Sequence, residues 1–107
     1  ARALFVEFIR RAPDDERADD AQFYVGETYF AESRFVEAVT EYRKVYDTYQ
    51  RGDRFREAVL RIGLSYERTN DCEKAKKIYK FARDEFKDSS EGGKAKERYK
   101  ALKKTCK

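Results

Sequence analysis

The sequence predicts an all-α protein of about six helices, arranged as antiparallel helix hairpins stacked one on the next. Three observations predict it. Ala21, Gly26, Tyr29, Ala38 and Tyr42 recur as Ala58, Gly63, Tyr66, Ala75 and Tyr79, each displaced by 37 residues, with Tyr49 and Phe86 closing the two units. Apolar residues within each unit fall at the i, i+3, i+4, i+7 spacing of one helical face. The breaks are only a few residues long, which makes successive helices antiparallel neighbours. A unit of this length cannot bury its apolar face alone, so stability comes from stacking and function from the surface the stack presents.

The echo also sets the boundaries. Subtracting 37 from Ala38, Tyr42 and Val45 gives Ala1, Phe5 and Phe8, and adding 37 to Ala58 and Ile62 gives Ala95 and Tyr99. The chain therefore reads as one domain over 1–107, with a half unit at 1–13, full units at about 14–50 and 51–88, and a terminal helix in 89–107. Because it opens in mid-unit, a further segment before residue 1 is expected.

Helices are predicted at about 1–11, 16–31, 34–49, 54–69, 71–87 and 91–105. Pro13 follows the first, and Asp14 or Asp15 is expected to cap the second by accepting hydrogen bonds from first-turn N–H groups. Ser33 marks the start of the third, whose stripe is Phe35, Ala38, Val39, Tyr42, Val45, Tyr46 and Tyr49. Gly52 and Asp53 stop that helix and start the fourth, which carries Phe55, Ala58, Val59, Ile62 and Tyr66. Asn70-Asp71 and Ser89-Ser90 open the last two. Gly26 and Gly63 lie inside helices at a cost of about 1 kcal/mol each relative to Ala, so a packing reason is required. Ala38 and Ala75 are the expected partners, small residues where the two helices of a hairpin cross, with Tyr29, Tyr42, Tyr66 and Tyr79 filling the space on either side.

Small residues eight and twenty positions into the unit, with aromatics at eleven and twenty-four, resemble the tetratricopeptide repeat. The resemblance implies a right-handed solenoid. It departs from that pattern at Gln22 and Val59, where an aromatic is usual, and in a unit three residues longer than the standard 34. Tetratricopeptide proteins of the bacterial envelope often use the longer unit. The segment Ala21-Gln-Phe-Tyr-Val-Gly-Glu-Thr-Tyr-Phe30 is similar to Ala-x-Tyr-Trp-Leu-Gly-Glu-x-Tyr-Tyr of the periplasmic Tol-Pal cell-division coordinator family, and Phe35, Ala38, Ala58, Gly63, Ser65, Tyr66 and Cys72 continue the register. Tyr24 replaces Trp, and Gln50 and Asp88 replace inter-repeat prolines. Outer-membrane lipoproteins of the β-barrel assembly machinery share much of the pattern.

The resemblance implies that the first helix of each pair lines a concave groove for a peptide or helix of a partner protein. Its register places Phe23, Tyr24, Glu27 and Phe30 there with Asp20, then Leu60, Arg61, Leu64, Glu67 and Arg68 with Glu57, and extends the row through Lys94, Glu97 and Arg98. Phe23, Phe30, Leu60 and Leu64 are the expected apolar anchors, although Phe23 and Phe30 also suit packing against the preceding half unit. The expectation is a non-catalytic scaffold of the cell envelope, periplasmic or associated with the outer membrane, with a cytoplasmic location as the alternative. The alternative function is structural, the ends of the array stacking through Leu4, Phe5 and Phe8 or through Tyr99 and Leu102.

Composition narrows the chemistry. With 43% charged residues and a mean hydropathy of −1.00, only the periodic placement of its apolar residues argues for a folded chain. No His is present, which removes Ser–His and Cys–His pairs and His-containing zinc sites, and no Gly-rich phosphate loop occurs. Asp14-Asp15-Glu16 and Asp19-Asp20 suit the first turns of helices. No catalytic residue, cofactor or metal is predicted. Residues 87–107 hold eight Lys/Arg against three Asp/Glu, a balance that suits a solvated terminal helix better than nucleic-acid binding, with Tyr99 the one base-stacking group in the stretch. Cys72 and Cys106 each stand about seventeen residues from the turn at Ser89, level with each other in an antiparallel hairpin. They either bridge, in an oxidising compartment, or remain two separate thiols.

Overall fold

The computed structural model describes residues 1–50, 52 and 54–106. Six helices follow in order, α1 (Arg2–Arg11), α2 (Ala18–Ala31), α3 (Phe35–Thr48), α4 (Phe55–Arg68), α5 (Cys72–Glu85) and α6 (Ser90–Thr105), with no strand among the described residues. Each helix packs on the next, while α2 also touches α4 and α4 touches α6. The first helices of successive units therefore share one side of a slab measuring 45 × 29 × 17 Å. No helix among the described residues is long and apolar enough to cross a membrane.

The buried residues are those the repeat sets out. Ala38, Tyr42, Val45 and Ile62 join Phe23 in one cluster, and Val59, Ala75, Tyr79, Ala82, Ala95 and Leu102 form the other. Each large apolar side chain enclosed in this way contributes about 1.5–3 kcal/mol. Between the two, a group of rings links α3, α4 and α5, with Tyr46 stacked on Phe55 at 5.2 Å and both reaching Phe81 or Phe86.

The glycine partners differ from expectation. Ala38 and Ala75 are fully buried, yet the atoms facing the glycines belong to tyrosine rings. A Cβ on Gly26 would stand 2.5 Å from the Tyr42 ring, and one on Gly63 would stand 2.6 Å from that of Tyr79. Ring against backbone, rather than backbone against backbone, sets the approach of the two helices in each hairpin.

Helix ends follow the expected chemistry in part. Asp71 accepts from the Lys74 N–H at 3.3 Å, and the Ser89 hydroxyl accepts from the Gly92 N–H at 3.1 Å. Asp15 acts one turn earlier than expected: its carboxylate accepts from the Arg17 N–H at 2.9 Å in the turn before α2, whose N-cap is Arg17. Ser33 ends α2 instead of opening α3. With φ of 60°, it and its counterpart Asn70 occupy the left-handed region. Arg34 then donates to the Tyr29 carbonyl and Asp71 to that of Tyr66, both at 2.9 Å, closing the paired bonds of a Schellman turn. The expected cap Asp53 lies outside the described residues.

The sulfurs of Cys72 and Cys106 are joined, with their Cα atoms 5.8 Å apart. The bond closes a loop of 34 residues in sequence separation. In the chain-entropy model such a loop contributes about 4 kcal/mol.

Two glycine substitutions separate packing from helix propensity. Gly63→Ala gains about 1 kcal/mol of propensity but displaces the Tyr79 ring, for a net loss of about 1–3 kcal/mol. Gly93→Ala, with no neighbour within 4 Å of its new methyl, keeps the gain. Urea unfolding midpoints should move in opposite directions for the two variants.

Candidate functional site

On the shared side of α2, α4 and α6, the buried tyrosines reach polar partners. The Tyr42 hydroxyl donates to Glu27 at 2.5 Å, and Glu27 also forms an ion pair with Arg61, 3.0 Å from its Nε. In the next unit the Tyr79 hydroxyl donates to Glu67 at 2.5 Å, and Arg98 clasps the same carboxylate through Nε at 3.1 Å and through a terminal nitrogen. Each network joins the second helix of a unit, its first helix and the first helix of the following unit. Tyr42 and Tyr79, like Arg61 and Arg98, are separated by the repeat distance of 37, but Glu27 and Glu67 are 40 apart. The carboxylate has moved by one helical turn: Glu27 and Phe30 in the first unit correspond to Leu64 and Glu67 in the second.

These contacts set the titration of the groups. Burial pushes the phenols of Tyr42 and Tyr79 well above the usual range, and the adjacent carboxylates add to it. Burial also pushes the Glu67 carboxyl up, but hydrogen bonds from Arg98 and Tyr79 outweigh it and hold the group below its ordinary 4.5.

Beside the second network, α4 and α6 enclose an open cleft of about 480 Å³. Leu60 and Leu64 supply aliphatic lining, Tyr79 also contributes, and Glu57, Arg61, Lys94, Glu97 and Arg98 surround them. Of the fourteen residues expected in the groove, Glu57, Leu60, Arg61, Leu64, Lys94, Glu97 and Arg98 line this cleft, and Glu67 lies behind it, bound to Arg98. The other six are placed elsewhere.

Phe23 corrects the expectation most clearly. It is 2% exposed and belongs to the core, 5.6 Å from the Tyr42 ring. Arg54 lies 4.9 Å over it, held by Asp20 at 2.9 Å. The repeat counterpart of Arg54 is Glu91, which turns to Arg56 at 3.4 Å, so Leu60, the counterpart of Phe23, remains half-buried beside the cleft. Tyr24 is exposed near α1, stacked on Phe5 at 5.6 Å, and accepts from Arg54 at 2.8 Å. Phe30 is half-buried between the guanidinium groups of Arg61 and Arg68, each 5.4 Å from its ring, with its edge on Phe35. Glu27 is committed to Tyr42 and Arg61, and Arg68 is exposed above Phe30.

Tyr79 is the lining residue that sequence reasoning assigned only to the core. Its constant offset from Tyr42 marked it as structural, and the hydroxyl that reaches the cleft side had no signature of its own. Cys72, Glu73 and Cys106 bring ligand-type atoms within 4.8 Å of one another, but the two sulfurs are bonded to each other.

Residues 57–89 match the tetratricopeptide repeat family model. No curated protein matches the chain. The matched segment covers most of the second full unit, whose helices recur at the same offset in the first. Together with the six-helix architecture it supports a tetratricopeptide repeat protein, a type of fold that typically serves as a protein-interaction scaffold.

The Glu67 network makes a pH prediction. A carboxyl held below its ordinary 4.5 stabilises the fold fully above that value, and loses the contribution as pH falls through the lower folded value. The stability difference between the wild type and Glu67→Gln should therefore be greatest near neutrality and shrink between about pH 5 and pH 3, as urea midpoints across that range would record.

Proposed function

We propose that this chain is a non-catalytic scaffold of the bacterial cell envelope whose α4–α6 cleft receives a helix or extended segment of another envelope protein. The cleft itself carries the reading. Leu60 and Leu64, half-buried side by side within a charged rim, offer the apolar anchors and polar edge that peptide docking uses. A tetratricopeptide unit at 57–89 contains both leucines, in a fold that commonly binds proteins.

Two observations support the envelope. Disulfides persist in oxidising compartments, which suits the bond between Cys72 and Cys106. The resemblance of residues 21–30 to the Tol-Pal coordinator family supplies the finer form of the proposal, a coordinator-like role in cell division.

A structural role is the second reading, and the exposure of α1 favours it. Leu4 is 76% exposed and Phe5 and Phe8 are half-buried, whereas the repeat counterparts of these two, Tyr42 and Val45, then Tyr79 and Ala82, are enclosed. The other end does not offer a matching surface. Leu102 is buried, and Tyr99 packs on the second core cluster with Arg83 and Lys103 over its ring.

Calorimetric titration with purified periplasmic domains of the Tol-Pal proteins distinguishes the two. Saturable binding is expected, weakened at least about tenfold by Leu60→Ser with Leu64→Ser, while an unchanged circular dichroism spectrum shows that the fold persists. Absence of binding, combined with a concentration-dependent dimer that Phe5→Asp dissolves, would instead establish end stacking.

A further inference from the structure

We infer that the segment received by the α4–α6 cleft is acidic as well as aliphatic, with its carboxylates turned toward α6 and its aliphatic side chains on Leu60 and Leu64. This rests on the docking function proposed above and names the partner's chemistry. The argument is one of charge and depth. Most acidic side chains near the cleft are already engaged, and in the two tyrosine networks the carboxylate lies deeper than the cation that holds it. Glu67 is 14% exposed against 49% for Arg98, and Glu27 is 27% exposed against 34% for Arg61. Glu57 and Asp20 share Arg54, each at 2.9 Å, and form the acidic corner at the start of α4. Away from that corner the outermost groups are the cations Arg61, Arg98 and Lys94 and one carboxylate, Glu97.

Among the described residues two lining charges make no ion pair, Lys94 and Glu97, both exposed on α6. Beyond the cleft, Arg68 contributes a further exposed cation over Phe30. A basic partner would meet Arg98, Arg61 and Lys94, with Glu97 and, at the corner, Glu57 to answer them. An acidic one finds three cations around an aliphatic floor. That floor favours a protein segment over nucleic acid, because neither leucine provides a stacking plane for a base.

The test selects displayed random peptides on the full chain, then titrates the best binder with variants. Asp and Glu beside Leu, Ile or Val are expected to be enriched. Lys94→Glu should weaken the selected peptide about threefold or more and Glu97→Lys should strengthen it, each by the scale of an exposed ion pair, with both effects shrinking at high salt. Neither side chain makes an ion pair among the described residues, so both variants should keep the wild-type unfolding midpoint. Peptides without acidic bias that still require Leu60 and Leu64 would overturn the charge assignment and leave the cleft as the docking site. Peptides indifferent to Leu60→Ser with Leu64→Ser, or no enrichment at all, would overturn the docking site itself. Tighter binding of oligouridylate than of any selected peptide would overturn the assignment to a protein partner.

Discussion

Because Gly26 and Gly63 lack a Cβ, the rings of Tyr42 and Tyr79 press against helix backbone, and their hydroxyls emerge where α2 meets α4 and where α4 meets α6. The rest of the array follows from that placement. A buried phenol needs a hydrogen-bond partner, and a carboxylate from the first helix of the same unit provides it. A half-buried carboxylate in turn needs a cation, which comes from the next unit as Arg61 or Arg98. One missing side chain thus links the packing of a hairpin to the joint between hairpins. Adding a methyl at either glycine would disturb both.

The two joints reach the same network with different sequences, and this makes the two halves of the shared face chemically unlike. In the first unit the carboxylate comes from Glu27, leaving Phe30 one turn on, where Arg61 and Arg68 cover it. In the second it comes from Glu67, leaving Leu64 one turn back, beside the open space between α4 and α6. Moving the acid by a turn relocates the neighbouring apolar residue by a turn in the other direction. The same exchange that preserves the joint determines where an aliphatic surface is exposed.

Periodicity made the helices legible, because burial on one face imposes the 3.6-residue spacing whatever the partner. Tyr42 and Tyr79 could likewise be read as core from their constant offset. Glu27 and Glu67 could not be paired in that way, since a one-turn shift keeps a side chain on the same helix face while breaking the offset. Phe23 shows another limit. Its position off the hairpin stripe suggested the surface, but burial there depends on Arg54, thirty-one residues away, lying over the ring. Leu60 occupies the equivalent position without that cover. Left-handed φ at Ser33 was equally hidden, because serine more often caps the start of a helix than its end.

The remaining question is what keeps α6 in place, since it forms a whole wall of the cleft. Its attachments are spread along its length. Ser89 fixes the first turn, Ala95 and Leu102 bury the face toward α5, Arg98 binds Glu67 on α4, and Cys106 is bonded to Cys72 at the far end. Lys100 stands where the repeat has Gly26 and Gly63, so no tyrosine ring could seat against α6 as Tyr42 and Tyr79 seat against α2 and α4. The helix is therefore fastened by other means. Held at its start, middle and end, it gives the cleft a wall that does not need to be ordered when a segment docks, and a partner's binding energy is spared that entropic loss.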